Sequence, residues 1–579
     1  MASAEIARAN ATDWVAKAAP LPTQWTNQAG PGNALPDYPR PQLTRRAWQN
    51  LNGVWEYHGS ETGAARILVP YPPESALSGI GRHDDVMTYR RTFTVPPDWR
   101  DEHVLLHFGA VDQTATVWVN GREVATHRGG FTEFSADITS ALKPGGEQEI
   151  VVRAEDHDEA APFAVGKQRA KPGGIFYTGS SGIWQTVWLE PVPAVHLDKL
   201  DIVGDLTGFT VTPRVSGGDG QVEVVVHDAQ GTEVTRASGQ AGQPLRLTVA
   251  RPHLWTPDDP YLYAISARLT GQDAGKTDEV RSYGGLRTVS LVADTLGRPR
   301  IALNGRITFL HGPLDQGFWP DGLHTAPTDE ALRSDLDKIK ELGFNFVRKH
   351  VKVEPARWYH WADRLGLLVF QDMPSPRFGP DGSPPRDGKA DFEAELTAMI
   401  GQLANAPSII GWVPFNEGWG EYDTVRIARA VKAADPTRLV DANSGVNCCY
   451  SHPDSGAGDL YDDHTYVGPG RSAVRDARAV IDGEYGGLGL VVAGHSWPGE
   501  PQAYEMTTSP AQLTERYVEV SRELETLARD EGLSGAIYTQ ITDVENEVNG
   551  FLTYDRRVEK LDFAVAARHN RAVIAAGSQ

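Results

Sequence analysis

Between residues 307 and 350 the chain reads ITFLHGPLDQGFWPDGLHTAPTDEALRSDLDKIKELGFNFVRKH, and three parts of it set the architecture. ITFLHG (307–312) and NFVRKH (345–350) are short apolar runs of strand length that close on polar residues. Between them TDEALRSDLDKIKELG places Leu332, Leu336, Ile339 and Leu342 on one helical face, with Gly343 able to cap its end. Strand, amphipathic helix and strand in this order make a βαβ unit with parallel strands.

The rhythm repeats downstream in LLVFQDMP (367–374), IIGWVPFNE (409–417), LVDANSG (439–445), DLYDDHTY (459–466), AVIDGEYG (479–486) and GAIYTQITD (535–543). Eight strands alternating with helices in about 280 residues predict a (β/α)8 TIM barrel over 297–579. An open doubly wound sheet is the competing architecture, but no G-x-G-x-x-G phosphate loop follows the first strand.

Upstream the period shortens. From about residue 40 to 194, alternating runs such as HVLLHFGAVDQTATVWVNG and EQEIVVRAEDH are broken by Gly, Pro and Asp, and Asn120-Gly121 between TATVWV and REVATH signals a two-residue hairpin. Residues 1–194 are therefore predicted to form a jelly-roll β-sandwich, with SGIWQTVWLEPV (181–192) closing a sheet. FTVTPRVSG, GQVEVVVHDAQG and PLRLTVARP then predict an immunoglobulin-like β-sandwich over 195–296, a length that fits that fold. A chain of 579 residues is too long for one hydrophobic core, in keeping with this multidomain division.

Composition narrows the function. Hydrophobic residues make up 40% and charged residues 23%, and no apolar run reaches the roughly 18 residues of a membrane helix, so no membrane span is expected. A net charge of −21 without clustered Lys and Arg opposes binding to nucleic acid or anionic lipid and suits a neutral substrate. The two cysteines, Cys448 and Cys449, are adjacent, which excludes a disulfide framework and multi-cysteine metal sites and points to a reducing compartment. MASAEIARANATDWVAKAAP lacks the basic and apolar regions of a secretion signal, so a cytoplasmic protein is expected, with secretion open to a longer form of the chain.

In a TIM barrel the C-terminal ends of the strands line the active site. Here nearly every strand ends in a polar residue: His311, Arg348 with His350, Asp372, Asn416 with Glu417, Asn443, His464 with Tyr466, Glu484, and Gln540 with Asp543. One carboxylate at a strand end is commonly a helix cap or an ion-pair partner. Two apolar strands, the fourth and the seventh, each deliver a glutamate to the same rim, and glycoside hydrolysis needs such a pair, one carboxyl to donate a proton and one to attack the anomeric carbon. Trp412, Phe415 and Trp419 near Glu417 are expected to supply apolar surroundings that favour its protonated form.

GWVPFNEGWG (411–420) resembles the Asn-Glu acid/base motif at strand four of a large glycosidase clan built on this barrel, and IDGEYGG (481–487) resembles its strand-seven nucleophile. PRPQLTRRAWQNLNGVWEY (39–57), VWVNG (117–121), SGIWQTVWLEP (181–191), LWTPDDPYLY (254–263) and SYGGLRTV (282–289) resemble glycoside hydrolase family 2, which contains β-galactosidases, β-glucuronidases and β-mannosidases. The resemblance implies retention of anomeric configuration, with Glu417 as general acid/base, Glu484 as nucleophile and Asn416 bonding the hydroxyl next to the anomeric carbon. It also implies that the jelly-roll loop GKQRAKPGG (166–174), with Lys167 and Gln168, reaches the barrel mouth and makes an exo-acting pocket.

Specificity falls to Arg348, His350, Asp372, His464, Tyr466, Gln540 and Trp419, with Trp319 and Trp497 as further stacking candidates. The Asn-x-Lys pair by which β-glucuronidases hold a carboxylate is absent after strand eight, where the chain reads YTQITDVENEVNGF, so a uronide is disfavoured. The large β-galactosidases place a Trp near the end of that strand and bind magnesium near the acid/base, whereas this chain has Tyr538 and Gln540. Asp372 and His464 could hold a cation, but lack a third clear ligand, so sugar hydroxyls are the expected occupants and no metal or cofactor is required. HGPLDQGFWPDGLHTAP (311–327), VRKHVKVEP (347–355), FQDMPSP (370–376) and EYGGLGLVVAGHSWPG (484–499) resemble a branch of the family in which some members act on galactofuranosides. The expected substrate is an oligosaccharide or glycoside with a terminal β-galactosyl residue, pyranose or furanose. Mannoside, arabinoside, transglycosylation, a non-catalytic carbohydrate-binding protein and a homo-oligomer are the alternatives left open.

Overall fold

The computed structural model describes residues 14–157, 163–271 and 277–579. Among them no helix is long and apolar enough to cross a membrane.

The first domain is a sandwich. One sheet orders its strands Gly63–Val69, Gly53–Gly59, Val86–Thr94, Glu147–Glu155, Thr114–Val119 and Arg122–Arg128, and the other Gln49–Asn50, Val187–Val192, His103–Phe108 and Phe134–Asp137. Thr114–Val119 alternates half-buried and buried residues, so Ala115, Val117 and Val119 enter the shared core with Trp55, Tyr57 and Val152. Asn120 and Gly121 both take positive φ, 50° and 81°, as a tight hairpin turn matched to strand twist requires. Three strands, His196–Gly204, Gly208–Ser216 and Leu245–Thr248, then face four, Glu233–Gln240, Gly220–His227, Tyr263–Gly271 and Thr277–Gly284, in the second sandwich.

The third domain is the barrel, with β1 Leu310–Asp315, β2 Phe346–Lys349, β3 Leu368–Asp372, β4 Ile409–Val413, β5 Leu439–Val440, β6 Leu460–Thr465, β7 Ala479–Gly486 and β8 Leu533–Thr539. All are parallel to their neighbours, in the order β5-β4-β3-β2-β1-β8-β7-β6. β5, two residues long, ladders with β4 only, which leaves a seam beside β6. Each of the eight overlaps the stretch expected for it, but β1 is shifted three residues downstream of 307–312, so His311 lies near its start and Asp315 ends it.

The helices depart from strict alternation. α1 Asp329–Glu341, α2 Ala356–Leu365, α3 Lys389–Leu403 and α4 Thr424–Ala434 follow β1 to β4, and α5 Pro510–Asp530 and α6 Phe563–Gly577 follow β7 and β8. Thr328 caps α1 by accepting the Ala331 N–H at 3.0 Å, and Leu332, Leu336 and Ile339 are buried as expected. No helix among the described residues joins β5 to β6 or β6 to β7. The first of these connections, NSGVNCCYSHPDSGAGD (443–459), is dense in turn-forming Gly, Pro, Asn, Asp and Ser, which disfavour helix.

Below the barrel a three-stranded sheet, Val289–Ala293, Pro299–Leu303 and Arg306–Ile307, sends Ile301 and Leu303 into one apolar cluster with Leu310, Leu314, Phe346 and Phe370. This floor closes one end, so only the C-terminal end is open, and its first strand precedes the expected boundary at 297. On the other side the jelly roll docks through the N–H groups of Val165 and Gly166, which donate to the Ser375 carbonyl at 2.9 and 3.0 Å. It also docks through Glu395 of α3, which accepts the Phe131 N–H at 2.9 Å.

Burial pushes the Glu395 carboxyl up to about 8. The folded state therefore binds a proton there that the unfolded chain releases near pH 4.3, so stability falls as pH rises from that value towards 8. Glu395→Gln removes this dependence, because an amide does not titrate. Each pH unit in that window costs the parent about 1.4 kcal/mol, so the unfolding temperature of Glu395→Gln is expected to fall less than the parent's between pH 5 and 8.5. Parallel thermal melts across that range check it.

Candidate active site

Glu417 and Glu484 meet at the open end of the barrel. One carboxylate oxygen of each, together with a ring nitrogen of His464, lie within 4.8 Å of one another. Retaining hydrolysis needs carboxyls about 5 to 5.5 Å apart, and an inverting pair needs roughly 6.5 to 9.5 Å to admit a water.

Glu417 lies four residues past β4 with a left-handed backbone, φ 52°, unusual for a residue with a side chain. Its N–H donates to the Ser444 carbonyl at 2.8 Å and its carbonyl accepts the Tyr450 N–H at 3.0 Å, so the loop after β5 holds the strained turn. Its Oε1 lies 2.9 Å from His464 Nδ1 and 3.5 Å from Cys448 Sγ.

Glu484 is in a different environment. Arg348 Nη1 reaches its Oε1 at 3.3 Å, the Tyr466 hydroxyl donates to its Oε2, and His464 Nδ1 stands 3.8 Å away. Burial disfavours its charge, but the basic side chains of His464, His350, Arg348 and Lys167 outweigh that and hold the carboxyl at about 2. It is ionised at neutral pH, as a nucleophile must be.

Arg348 is itself fixed. Its Nε and Nη2 grip Asp372 at 3.0 and 2.9 Å, and Nη2 also donates to Asn416 Oδ1 at 2.7 Å. With Oδ1 so occupied, Asn416 is left with a buried Nδ2 that has no partner, a donor facing no acceptor of the protein. A sugar hydroxyl beside the anomeric carbon would satisfy it. Asp372 also accepts from the Val351 N–H at 3.3 Å and meets His350 Nδ1 at 2.9 Å. Its oxygens are thus taken up by Arg348, His350 and the Val351 N–H, so the side chain expected to meet a sugar hydroxyl instead fixes Arg348.

The sandwich loop does reach the mouth. Lys167 Nζ lies 5.9 Å from the Trp419 ring centre and 3.9 Å from Glu547 Oε2. Gln168 belongs to a different place from the one expected: its Nε2 donates to the Val165 carbonyl at 3.2 Å and its Oε1 accepts the Ser180 N–H at 2.6 Å, because alternate residues of a strand-like segment face opposite ways. Gln540 stands one layer back, accepting from Gln316 at 2.8 Å and donating to Asn549 at 2.8 Å. Gln316 and Asn549 also bond the two oxygens of Glu547, at 3.0 and 3.2 Å.

The aromatic expectations change most. Trp412 donates to Asp435 at 3.1 Å, and Phe415 stacks on Phe392 of α3 at 5.7 Å, so both pack between strand and helices and do not surround Glu417. Trp319 is buried under Arg556, 4.0 Å from the ring centre, and Trp497 packs on Tyr554 at 5.4 Å. Trp419 is buried among Phe378, stacked at 5.5 Å, His350 at 6.5 Å and the Lys167 ammonium at 5.9 Å. His311, bonded to the Tyr485 hydroxyl at 2.9 Å, and Asp543, paired with Lys560 at 2.6 Å, are buried structural groups.

Cys448 and Cys449 are bonded to each other. A bridge between neighbours closes no loop and ties no two elements together. Glu547, the partner of Lys167, and Tyr450 and Tyr504 at the rim leave no mark in the pattern of strand ends, because each reaches the site through a neighbour in space.

Three family models match the chain in order: a glycosyl hydrolase 2 galactose-binding domain-like model over residues 76–174, a glycosyl hydrolases family 2 model over 201–287, and a glycosyl hydrolases family 2 TIM barrel model over 300–455. The chain is 26% identical over 416 residues to a β-galactosidase of Thermoanaerobacter pseudethanolicus, an alignment that covers 67% of this chain and 53% of that one. It is 24% identical over 457 residues to a β-glucuronidase of Paenibacillus borealis, covering 70% and 74%. It thus spans about half the length of the galactosidase. Among solved structures, the β-D-glucuronidase of Dictyoglomus thermophilum superposes with a TM-score of 0.74 at 20% identity over 92% of this chain and 98% of that one. The Ruminococcus gnavus β-glucuronidase follows with 0.72 at 20% over 93% and 99%. At such identity these two establish the fold alone.

Proposed function

We propose that this chain, which belongs to glycosyl hydrolases family 2, is a retaining exo-glycosidase that removes terminal β-galactosyl residues from a glycoside. The observation that carries the reaction type is the approach of Glu417 and Glu484 oxygens to within 4.8 Å. Glu484, ionised and oriented by Tyr466 and Arg348, attacks the anomeric carbon while Glu417 protonates the departing oxygen. Glu417 then takes a proton from the water that releases the sugar with its configuration retained. Asn416 Nδ2 bonds the hydroxyl next to the anomeric carbon.

Exo action rests on the Lys167 loop, pinned to Ser375 and walling one side of the pocket. The aromatic rings left exposed among the described residues, Tyr450 at 42% and Tyr504 at 48%, stand near the two glutamates and leave a flat apolar border for the departing group. The preference for an uncharged sugar rests on Glu547, whose carboxylate offsets Lys167 and would repel a uronic acid.

Nitrophenyl glycosides test the reading: galactopyranoside, galactofuranoside, mannoside, arabinoside and glucuronide. A neutral glycoside, with galactoside foremost, is expected to exceed the glucuronide in kcat/KM by about 100-fold, a margin typical of a mismatched polar group in a pocket. Preferential turnover of the glucuronide would overturn the sugar assignment and make Lys167 the carboxylate ligand.

A further inference from the structure

Tyr504 reaches the nucleophile through another ring. It lies flat on Tyr466, with 3.6 Å between ring centres and 7° between planes, and the Tyr466 hydroxyl donates to Glu484 Oε2. One face of Tyr504 is thus taken up by a side chain that holds the nucleophile. The residue is still 48% exposed, so its other face is open to solvent.

The backbone that carries this ring is tied down on two sides. Towards β7, the Tyr504 N–H donates to the Gly487 carbonyl at 3.1 Å and the Thr507 N–H to the Gly489 carbonyl at 2.8 Å, while Glu505 and Met506 ladder with Leu488 and Gly489. Towards the loop after β8, the Gln502 N–H donates to the Asn546 carbonyl at 2.7 Å, and the Gln502 carbonyl accepts the Val548 N–H at 2.8 Å. Gly487 makes the seat for the ring. It takes φ 78°, and a Cβ there would fall 2.4 Å from Tyr504 Cδ2, so a larger residue would lift the ring off Tyr466. Glu484 and Gly487 are three residues apart in one stretch, which sets the nucleophile and the seat of Tyr504 in register with each other.

Tyr466 is only half-buried, and its hydroxyl sits at the end of a side chain with two rotatable bonds. A ring stacked on its face blocks the swing that would take the hydroxyl off Glu484 and keeps water from that face. We propose that Tyr504 is a positioning residue that holds Tyr466 on Glu484 with one face and seats the aglycone with the other. This role rests on Glu484 being the nucleophile of the proposed glycosidase. The two faces act at different steps. Glu484 forms its bond to the anomeric carbon in the first step and loses it to water in the second, so its orientation matters in both, whereas the aglycone has left before the second begins. Loss of the inner face slows both steps, and loss of the outer face slows the first alone.

Rates are measured for the parent, Tyr504→Ala, Tyr504→Phe, Tyr466→Phe and the double variant Tyr466→Phe/Tyr504→Ala, with thermal melts run on each to show that it is folded. The substrates are dinitrophenyl, nitrophenyl and methyl glycosides of the sugar that the parent turns over fastest. With the dinitrophenyl glycoside, where release of the sugar limits, kcat reads the second step, and in Tyr504→Ala it is expected to fall about tenfold, the scale of one aromatic contact. In the same variant kcat/KM is expected to fall about 100-fold for the nitrophenyl glycoside and about tenfold for the methyl one, which has no flat face to seat. Tyr504→Phe keeps the ring and restores all three. In the Tyr466→Phe background Tyr504→Ala should lower the dinitrophenyl kcat no further, because the hydroxyl it steadies is gone. An unchanged dinitrophenyl kcat in Tyr504→Ala, or losses that multiply in the double variant, overturns the positioning role. Equal losses of kcat/KM for the nitrophenyl and methyl glycosides overturn the aglycone seat. Turnover that survives in Glu484→Ala would instead remove the nucleophile on which both depend.

Discussion

Glu484→Ala is expected to end turnover of every glycoside, lowering kcat by about 10⁵- to 10⁶-fold, the scale on which an enzyme loses its nucleophile. Removing Glu484 frees Arg348 Nη1 and the Tyr466 hydroxyl, which held its two oxygens, and leaves a small cavity lined by donors. A small anion such as azide or formate fits that chemistry and can attack in place of the carboxylate. Rescue by azide should yield a glycosyl azide of inverted configuration, since one displacement replaces two. Proton NMR of the product reads the configuration. Unreduced turnover, or a retained azide, would place the nucleophile elsewhere.

Glu417→Gln is expected to show a loss that depends on the leaving group. With an alkyl aglycone, which needs a proton to depart, kcat/KM should fall about 10²- to 10⁴-fold, the usual contribution of a general acid. With a dinitrophenyl leaving group the first step should be nearly unaffected, and the glycosyl-enzyme should accumulate because its hydrolysis has lost the base. The alkaline limb of the profile, which in the parent marks loss of the proton from the acid, should vanish. A Brønsted plot over a series of aryl glycosides measures both effects, and an unchanged slope would remove Glu417 from the acid role.

The barrel was legible because its signal is periodic. Leu332, Leu336 and Ile339 recur at helical spacing, and the strand runs end in polar residues at the rim, so all eight strands and both glutamates could be located by pattern alone. The missing helices after β5 and β6 were less visible. There the chain needs turn formers to bring Tyr450 and Tyr466 to the rim, and eight strands suggest eight helices. Neighbours in sequence also misled. Trp412 and Phe415 sit beside Glu417 along the chain, yet both fall in the packing between the barrel and its helices, against Asp435 and Phe392. Gln168 follows Lys167 and faces the other way.

What the sequence determined by itself is the fold, the family and the pair of carboxylates, since hydrophobic period and strand-end chemistry are local properties that survive without coordinates. What only the tertiary structure decided is the condition of that pair. Glu484 is held ionised by Arg348, His350, His464 and Lys167, drawn from β2, the turn after it, β6 and the other domain, and Glu417 meets the His464 ring of β6 at 2.9 Å. Proton affinity depends on burial and on charges a few ångströms away. Residues 167, 348, 350, 464 and 484 become neighbours only when the barrel closes and the sandwich docks on it.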